Sequence, residues 1–351
     1  MHCFVRSVIA VSVCAALAIS AQAQTARAPH PAATEEAESG PAVELDPYVV
    51  TGTRTAQRLS EVPVRTELVT RGELAPQHPR TLADAVEFIT GVRVENNCQN
   101  CNFSQIRLLG LEGAYSQILV DGQPLVSSLA AVYAIEQISA SLIERIEVVK
   151  GGGSALSGSG SIGGVVNMIP HTPRANALHA RFAVESMTGA NVSSKSPDIG
   201  FSAGLQADFA WNDRREALVL WVQRDRELPV DLTGDGFTEI GYKELFGGGL
   251  RYTRAFERMD ATLTADLSHT FEDRRGGNIL DRSEHEADIA ESVEATRDAL
   301  AFAWNHAVSP VFDYRLAAAW SRTERDSYYH ECLDSHSRLT TRSYRIRSAS
   351  K

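Results

Sequence analysis

Hydrophobic and polar positions alternate strictly in the second half of the chain. From Phe201 to Trp211 the odd positions are Phe201, Ala203, Leu205, Ala207, Phe209 and Trp211, while Gln206 and Asp208 fall on the other side. From Ala261 to His269 one side is Ala261, Leu263, Ala265 and Leu267, and the other is Thr262, Thr264, Asp266 and Ser268. Further on, Phe312, Tyr314, Leu316, Ala318 and Trp320 oppose Asp313, Arg315 and Ser321. A period of two places each set on one face of a strand. Each segment is about ten residues, the length a tilted strand needs to cross a bilayer. Seven such strands are read between Leu178 and about Thr323.

The connections alternate between long and short. Long loops are expected around Ser186 to Ile199, Arg226 to Leu245 and Glu272 to Arg297, and tight turns at Asn212 to Arg215, near Glu257-Arg258 and at Ser309-Pro310. A soluble sandwich has no reason to keep that order, whereas a membrane barrel does.

The first half reads differently. His2 and Arg6 precede an apolar stretch from Val8 to Ile19, then Ala21-Gln22-Ala23 and Gln24, the layout of a secretory signal peptide cut after Ala23, with no lipid anchor. From Gln24 to Leu45 the Ala-, Pro-, Glu- and Thr-rich sequence has no apolar period and reads as a flexible tether. It ends in Asp46 to Arg54, a β-branched and aromatic run that is either the first strand of the next domain or a strand offered to a partner's sheet edge.

Between Arg58 and about Pro170 the pattern is mixed. Strands are expected at Glu67 to Thr70, Val92 to Val94, Ser104 to Leu109, Gln117 to Val120 and Ile143 to Val149. Thr81 caps a short helix that Gly91 stops, Asp121-Gly122 makes a turn, and a second helical segment covers Ile135 to Ser141. Gly158, Gly160 and Gly163 match GxGxxG after a strand, but Val165 to Ile169 is a β-branched run and not the helix a dinucleotide fingerprint must open. Tight backbone packing is the better account of these glycines.

Composition removes other classes. With 34 basic and 44 acidic residues the net charge is -10, and no basic patch forms, so nucleic acid is excluded as a partner. At 43% hydrophobic and 22% charged the chain is too polar for a helical membrane bundle. No Ser-His-Asp, paired-carboxylate or HExxH arrangement stands out, so no catalysis is expected.

The order of these parts resembles TonB-dependent outer-membrane receptors. The resemblance covers Asp46 to about Tyr329 and rests on the TonB-box-like Asp46 to Arg54, on Gln105-Ile106-Arg107-Leu108-Leu109-Gly110-Leu111, Ile118-Leu119-Val120-Asp121-Gly122 and Ile143 to Gly151, and on Gly163 to Ile169. It implies a mixed α/β plug domain followed by a transmembrane antiparallel β-barrel, here incomplete, with about seven strands of an expected 22 or so. The divisions are a signal peptide (1–23), a tether (24–45), the box-like segment (46–54), the plug (55–176), the N-terminal part of the barrel (177–329) and a non-barrel tail (330–351).

The implied activity is energised uptake of a scarce ligand, an iron-siderophore, haem, cobalamin or other metal chelate. TonB of the inner-membrane complex grips Tyr48, Val49, Val50 and Thr51. The implied location is the outer membrane, with its lipid as a further partner. By analogy the ligand meets Asn97, Gln99, Asn100, Asn102 and Gln105 in one plug loop and Ser127, Ser128 and Tyr133 in another.

Cys98 and Cys101 flank Gln99-Asn100. A zinc site needs about four ligands and no second pair completes one, and a redox role wants a helix start, so a small disulfide stiffening that loop is the preferred reading. Asp231, Thr233, Asp235 and Glu239 have oxygens at spacings suited to a structural Ca2+, although Tyr242 stands where the closing acid belongs and an Asp-Gly turn accounts for the same residues. No other cofactor is expected. His330 to Lys351 is Arg- and Ser-rich without alternation, which suggests a truncated receptor or one whose frame is lost near His330. Two other functions fit parts of the pattern: a soluble periplasmic plug-like binding module, and a nucleotide-dependent protein using the Gly-rich loop.

Overall fold

The computed structural model describes residues 48–49, 51–52, 57–98, 103–124, 135–151, 160–185, 199–280, 282–309, 311–331 and 340–350. The expected signal peptide and tether lie outside the described residues, and Asp46–Lys351 forms one compact unit.

The elements in order are β1 (Tyr48–Val49), β2 (Gln57–Arg58), β3 (Thr66–Thr70), α1 (Arg71–Leu74), α2 (Leu82–Val86), β4 (Val92–Cys98), β5 (Phe103–Leu108), β6 (Ser116–Val120), β7 (Gln123–Pro124), β8 (Ile143–Lys150) and β9 (Gly164–Pro170). A five-stranded sheet forms in the order β3-β8-β9-β6-β7, with β6 and β9 parallel and the other neighbours antiparallel. The β4-β5 hairpin stands beside it as a separate ladder. Alternation in Ile143 to Lys150 drives Ile146 and Val148 into a core with Val166 and Met168. Leu82, Ala85 and Val86 of α2 complete it from above. Helix α2 starts where Thr81 and Asp84 exchange capping hydrogen bonds.

Glycine is required at one point of this sheet. Gly164 has φ +139°, and a Cβ there would stand 2.2 Å from the Val149 carbonyl oxygen. The chain from Gly164 to Pro170 is extended, so no helix N-terminus faces the Gly-rich segment. Asp121 and Gly122, at φ 51° and 73°, have the two positive values a tight hairpin turn needs.

After this domain come β10 (Ala177–Glu185), β11 (Gly200–Trp211), β12 (Glu216–Glu227), β13 (Tyr242–Phe256), β14 (Ala261–Gly277), β15 (Ile289–Ser309), β16 (Phe312–Glu331) and β17 (Thr340–Ser350). They form one antiparallel meander in chain order, open between β10 and β17. The polarity of this wall is inverted. Leu205, Phe209 and Trp211 are exposed, whereas Ser202, Gln206 and Asp208 on the other face of β11 are buried against the first domain. Water as the only solvent would produce the opposite arrangement; a lipid-facing sheet produces this one.

Four expectations need correction. Ile135 to Ser141 is not a helix: it is turns followed by a single 3-10 turn at Ala140–Leu142. Its backbone is claimed from outside, because Leu82 N donates to Ile138 O and Ala140 N to Arg80 O. The third long connection is shorter than Glu272 to Arg297, since β14 continues to Gly277 and β15 begins at Ile289. The strands also outrun the expected ten residues, β15 reaching 21 and β16 20. Finally, 330–351 is not devoid of strand. Thr340–Ser350 pairs with β16 as an eighth strand, because a ladder needs only backbone groups.

Candidate functional site

At the N-terminal end of the plug, Tyr48–Val49 pairs antiparallel with Gln57–Arg58, leaving Tyr48 exposed and Val49 buried. Thr51 then enters the plug core. Its N–H and hydroxyl both donate to Glu147 Oε2, at 2.8 and 2.6 Å, and Asn167 Nδ2 donates to Thr51 Oγ1 at 2.9 Å. Glu147 is fully buried on β8, and Arg145 Nε holds its second oxygen at 2.9 Å. Asn167 on β9 also accepts from Gly122 N, and the neighbouring Asp121 is held by Arg251 of β13 and Arg315 of β16. A continuous run of polar contacts therefore joins the box-like segment to the wall.

The sequence leaves this segment as either the first strand of the next domain or a tethered strand offered to a partner. In the structure Thr51 is docked, because its hydroxyl donates to the buried Glu147 carboxylate and accepts from the buried Asn167 amide. Val50 lies outside the described residues.

Most of the two expected ligand-facing loops also falls outside the described residues: the side chains of Asn97 and Cys98, together with Gln99, Asn100, Cys101, Asn102, Ser127, Ser128 and Tyr133. The Cys98 backbone does end β4, opposite Phe103 across an irregularity in the ladder. Gln105 is described, half-buried on β5 opposite Glu95, with its side chain lying over Gly113.

The bases of both loops meet at one buried carboxylate that sequence reasoning missed. Glu136 follows the second loop and is bonded by Ser104, which follows the first. Arg274 of β14 donates to Glu136, and Lys243 Nζ of β13 lies 3.3 Å from it. Burial pushes the Glu136 carboxyl up, but Arg274 and Lys243 outweigh burial and bring it down to about 2. Beside it, Gln137 Nε2 donates to Glu272 Oε2 at 2.7 Å, and Glu272 also receives Arg274. Lys243 continues to Glu227 at 2.9 Å, and Glu227 to Arg80 of the plug at 2.9 Å. The available signal was a polar pair, Glu136-Gln137, set between Ile135 and Ile138 in an otherwise apolar turn.

In the connection between β12 and β13, carboxylate oxygens of Asp231, Asp235 and Glu239 lie within 4.8 Å of one another. Thr233 Oγ1 donates to Glu239 at 3.0 Å. The calcium reading expects that convergence. Gly234 N and Gly236 N donate to the two Asp231 oxygens at 2.6 and 2.8 Å, so the Asp-Gly turn is also held by its own backbone.

A small mixed domain packed against the polar face of an antiparallel sheet whose other face is apolar is the architecture of a plugged β-barrel, here with the sheet unclosed. Residues 58–165 match the family model described as TonB-dependent Receptor Plug Domain. The chain is 32% identical over 124 residues to the vitamin B12 transporter BtuB of Vibrio vulnificus strain CMCP6, a match covering 35% of this chain and 20% of that protein. Its fold is similar to that of the unliganded ferric citrate transporter FecA, with a TM-score of 0.61 at 17% identity over 83% of this chain and 44% of that one. It is similar as well to the open form of the ferric-catecholate import receptor Fiu from E. coli K12, with a TM-score of 0.58 at 14% identity over 84% and 45%. Residues 58–165 thus match a TonB-dependent receptor plug domain, and the likeness to the solved receptors extends the shared fold to the wall. The chain spans less than half the length of those solved receptors.

Proposed function

We propose that this chain acts in the outer membrane as the ligand-binding and plug-bearing part of an uptake receptor. The end of the wall with the long connections faces outward, and a scarce small molecule of the iron-siderophore, haem or cobalamin class meets the plug loops 96–104 and 126–133 there. TonB grips Tyr48 to Thr51 on the periplasmic side and supplies the energy for passage. No covalent chemistry is involved.

The observation that carries this reading is the polar path from Thr51 through Glu147 and Asn167 to the turn at Asp121. A partner that pairs with Tyr48–Val49 in place of Gln57–Arg58 competes with Thr51's contacts as well, and so acts directly on the central strands of the plug. The exposed apolar face of the wall speaks against a soluble plug-like module. Cysteine placed at Tyr48 of the full chain in cells should cross-link to a cysteine-bearing TonB periplasmic domain, and the product should fractionate with the outer membrane. A soluble periplasmic product without cross-linking would defeat the proposal.

A further inference from the structure

At the long-loop end of the wall, a cavity of about 360 Å³ lies between α2 and the ends of β10 to β13. Its lining is lopsided in charge, with seven carboxylates against two basic side chains, Arg80 and Lys243. Both bases are already committed. Arg80 reaches Asp84, Glu185 and Glu227, and Lys243 reaches Glu136 and Glu227.

What remains is negative and partly unsatisfied. Asp225 is 3% exposed, with one oxygen bonded to Ser202 and 3.9 Å from Arg181, while its Oδ2 has no hydrogen-bond partner. Burying a carboxylate oxygen without a donor is costly, and native structures rarely leave one so unless something else fills the space. Two residues earlier on the same face, neither amide atom of the buried Gln223 has a partner. Across the cavity Glu87 is exposed and has no ion pair among the described residues. The rest of the lining includes Ala83, Val94 and Leu245, which suit an alkyl stem better than a hydrated ion.

We propose that this cavity receives a small organic cation, an ammonium or guanidinium group of the incoming ligand, between Asp225 and Glu87. Arg80 shows the chemistry: its guanidinium sits in the same acidic surround, and the ligand's cation takes Glu87 and the Asp225 oxygen that no donor reaches. The field that draws in such a group repels a bare polyanion. This narrows the ligand class of the proposed uptake function and rests on the long-loop end facing outward.

The test uses the full chain in detergent micelles and agmatine, which carries a guanidinium and an ammonium group, followed by calorimetric titration. One saturable site is expected, weakened about tenfold or more by Asp225→Asn and by Glu87→Gln, and unchanged by Glu257→Gln at a tight turn. Glu87 is exposed, so its variant leaves the wall intact even where Asp225→Asn disturbs assembly. The proposal is overturned by the absence of a saturable site, by affinity unaltered in Glu87→Gln, by tighter binding of citrate than of agmatine, or by Ca2+ displacing agmatine at equal stoichiometry, which would mark a site for an inorganic ion. Binding of the TonB periplasmic domain, measured on the same preparation, separates the two levels. If it persists while agmatine fails, only this inference falls; if it is absent, the uptake reading falls with it.

Discussion

Glu136 carries the clearest single-residue consequence. Its carboxyl sits near 2 in the folded protein, below its ordinary value of 4.5, because it answers both Arg274 and Lys243. A lowered folded value means that the stabilisation is complete above about pH 4.5 and disappears as the pH falls toward 2. The attachment of plug to wall through Glu136 should therefore be constant from about pH 5 to 8 and fail only in strong acid, as followed by protease access to the plug. Glu136→Gln leaves two buried cations short of a counter-charge and should cost about 3 to 5 kcal/mol in urea titrations at neutral pH. Gly164→Ala forces a methyl group onto the Val149 carbonyl at a φ of +139°. A loss of about 3 kcal/mol is expected, seen as faster amide exchange throughout β8 and β9.

At the level of elements, Thr51 is the fastening of the box-like segment. Thr51→Val keeps the shape but removes the hydroxyl that Glu147 and Asn167 share. About 1 to 3 kcal/mol of local stability should be lost, and residues 48–52 should exchange faster while the sheet order β3-β8-β9-β6-β7 is unchanged. The elements differ in how plainly the sequence announces them. Strands β11 and β14 are legible because one face is apolar and the other polar, which forces a period of two; in β16 the same alternation holds from Phe312 to Trp320. Beyond that apolar span β14 carries charge on both faces, Glu272 and Arg274 on one and Asp273 and Arg275 on the other, and Glu272 and Arg274 read as loop residues although they are buried partners of the plug. Ile135 to Ser141 misled for another reason, since backbone donors and acceptors at residues 80 to 82 decide its conformation. The Glu136 cluster joins residues more than a hundred positions apart, so the polar pair Glu136-Gln137 does not by itself reveal its partners. The box-like motif was legible as a strand, but the fastening of Thr51 was not, because its partners lie on β8 and β9.

For the molecule as a whole, the inverted polarity of the wall makes a directional prediction. Leu267 faces outward on β14, and Asp266 faces the plug, where Arg251 holds it at 2.9 Å. Leu267→Arg should lower the stability of the chain in lipid vesicles by about 2 to 4 kcal/mol, measured by denaturant titration, because it places a charge in hydrocarbon. The turn at Asp121 adds a consequence for assembly. One carboxylate and its own carbonyl are gripped by Arg251 and by Arg315, which belong to strands three places apart in the meander. Strands that far apart in a twisted sheet can reach a common point only if the sheet bends between them. The hairpin tip is thus a gauge of curvature: the plug serves as the mandrel on which the wall is rolled, and a wall formed without it would start out flatter.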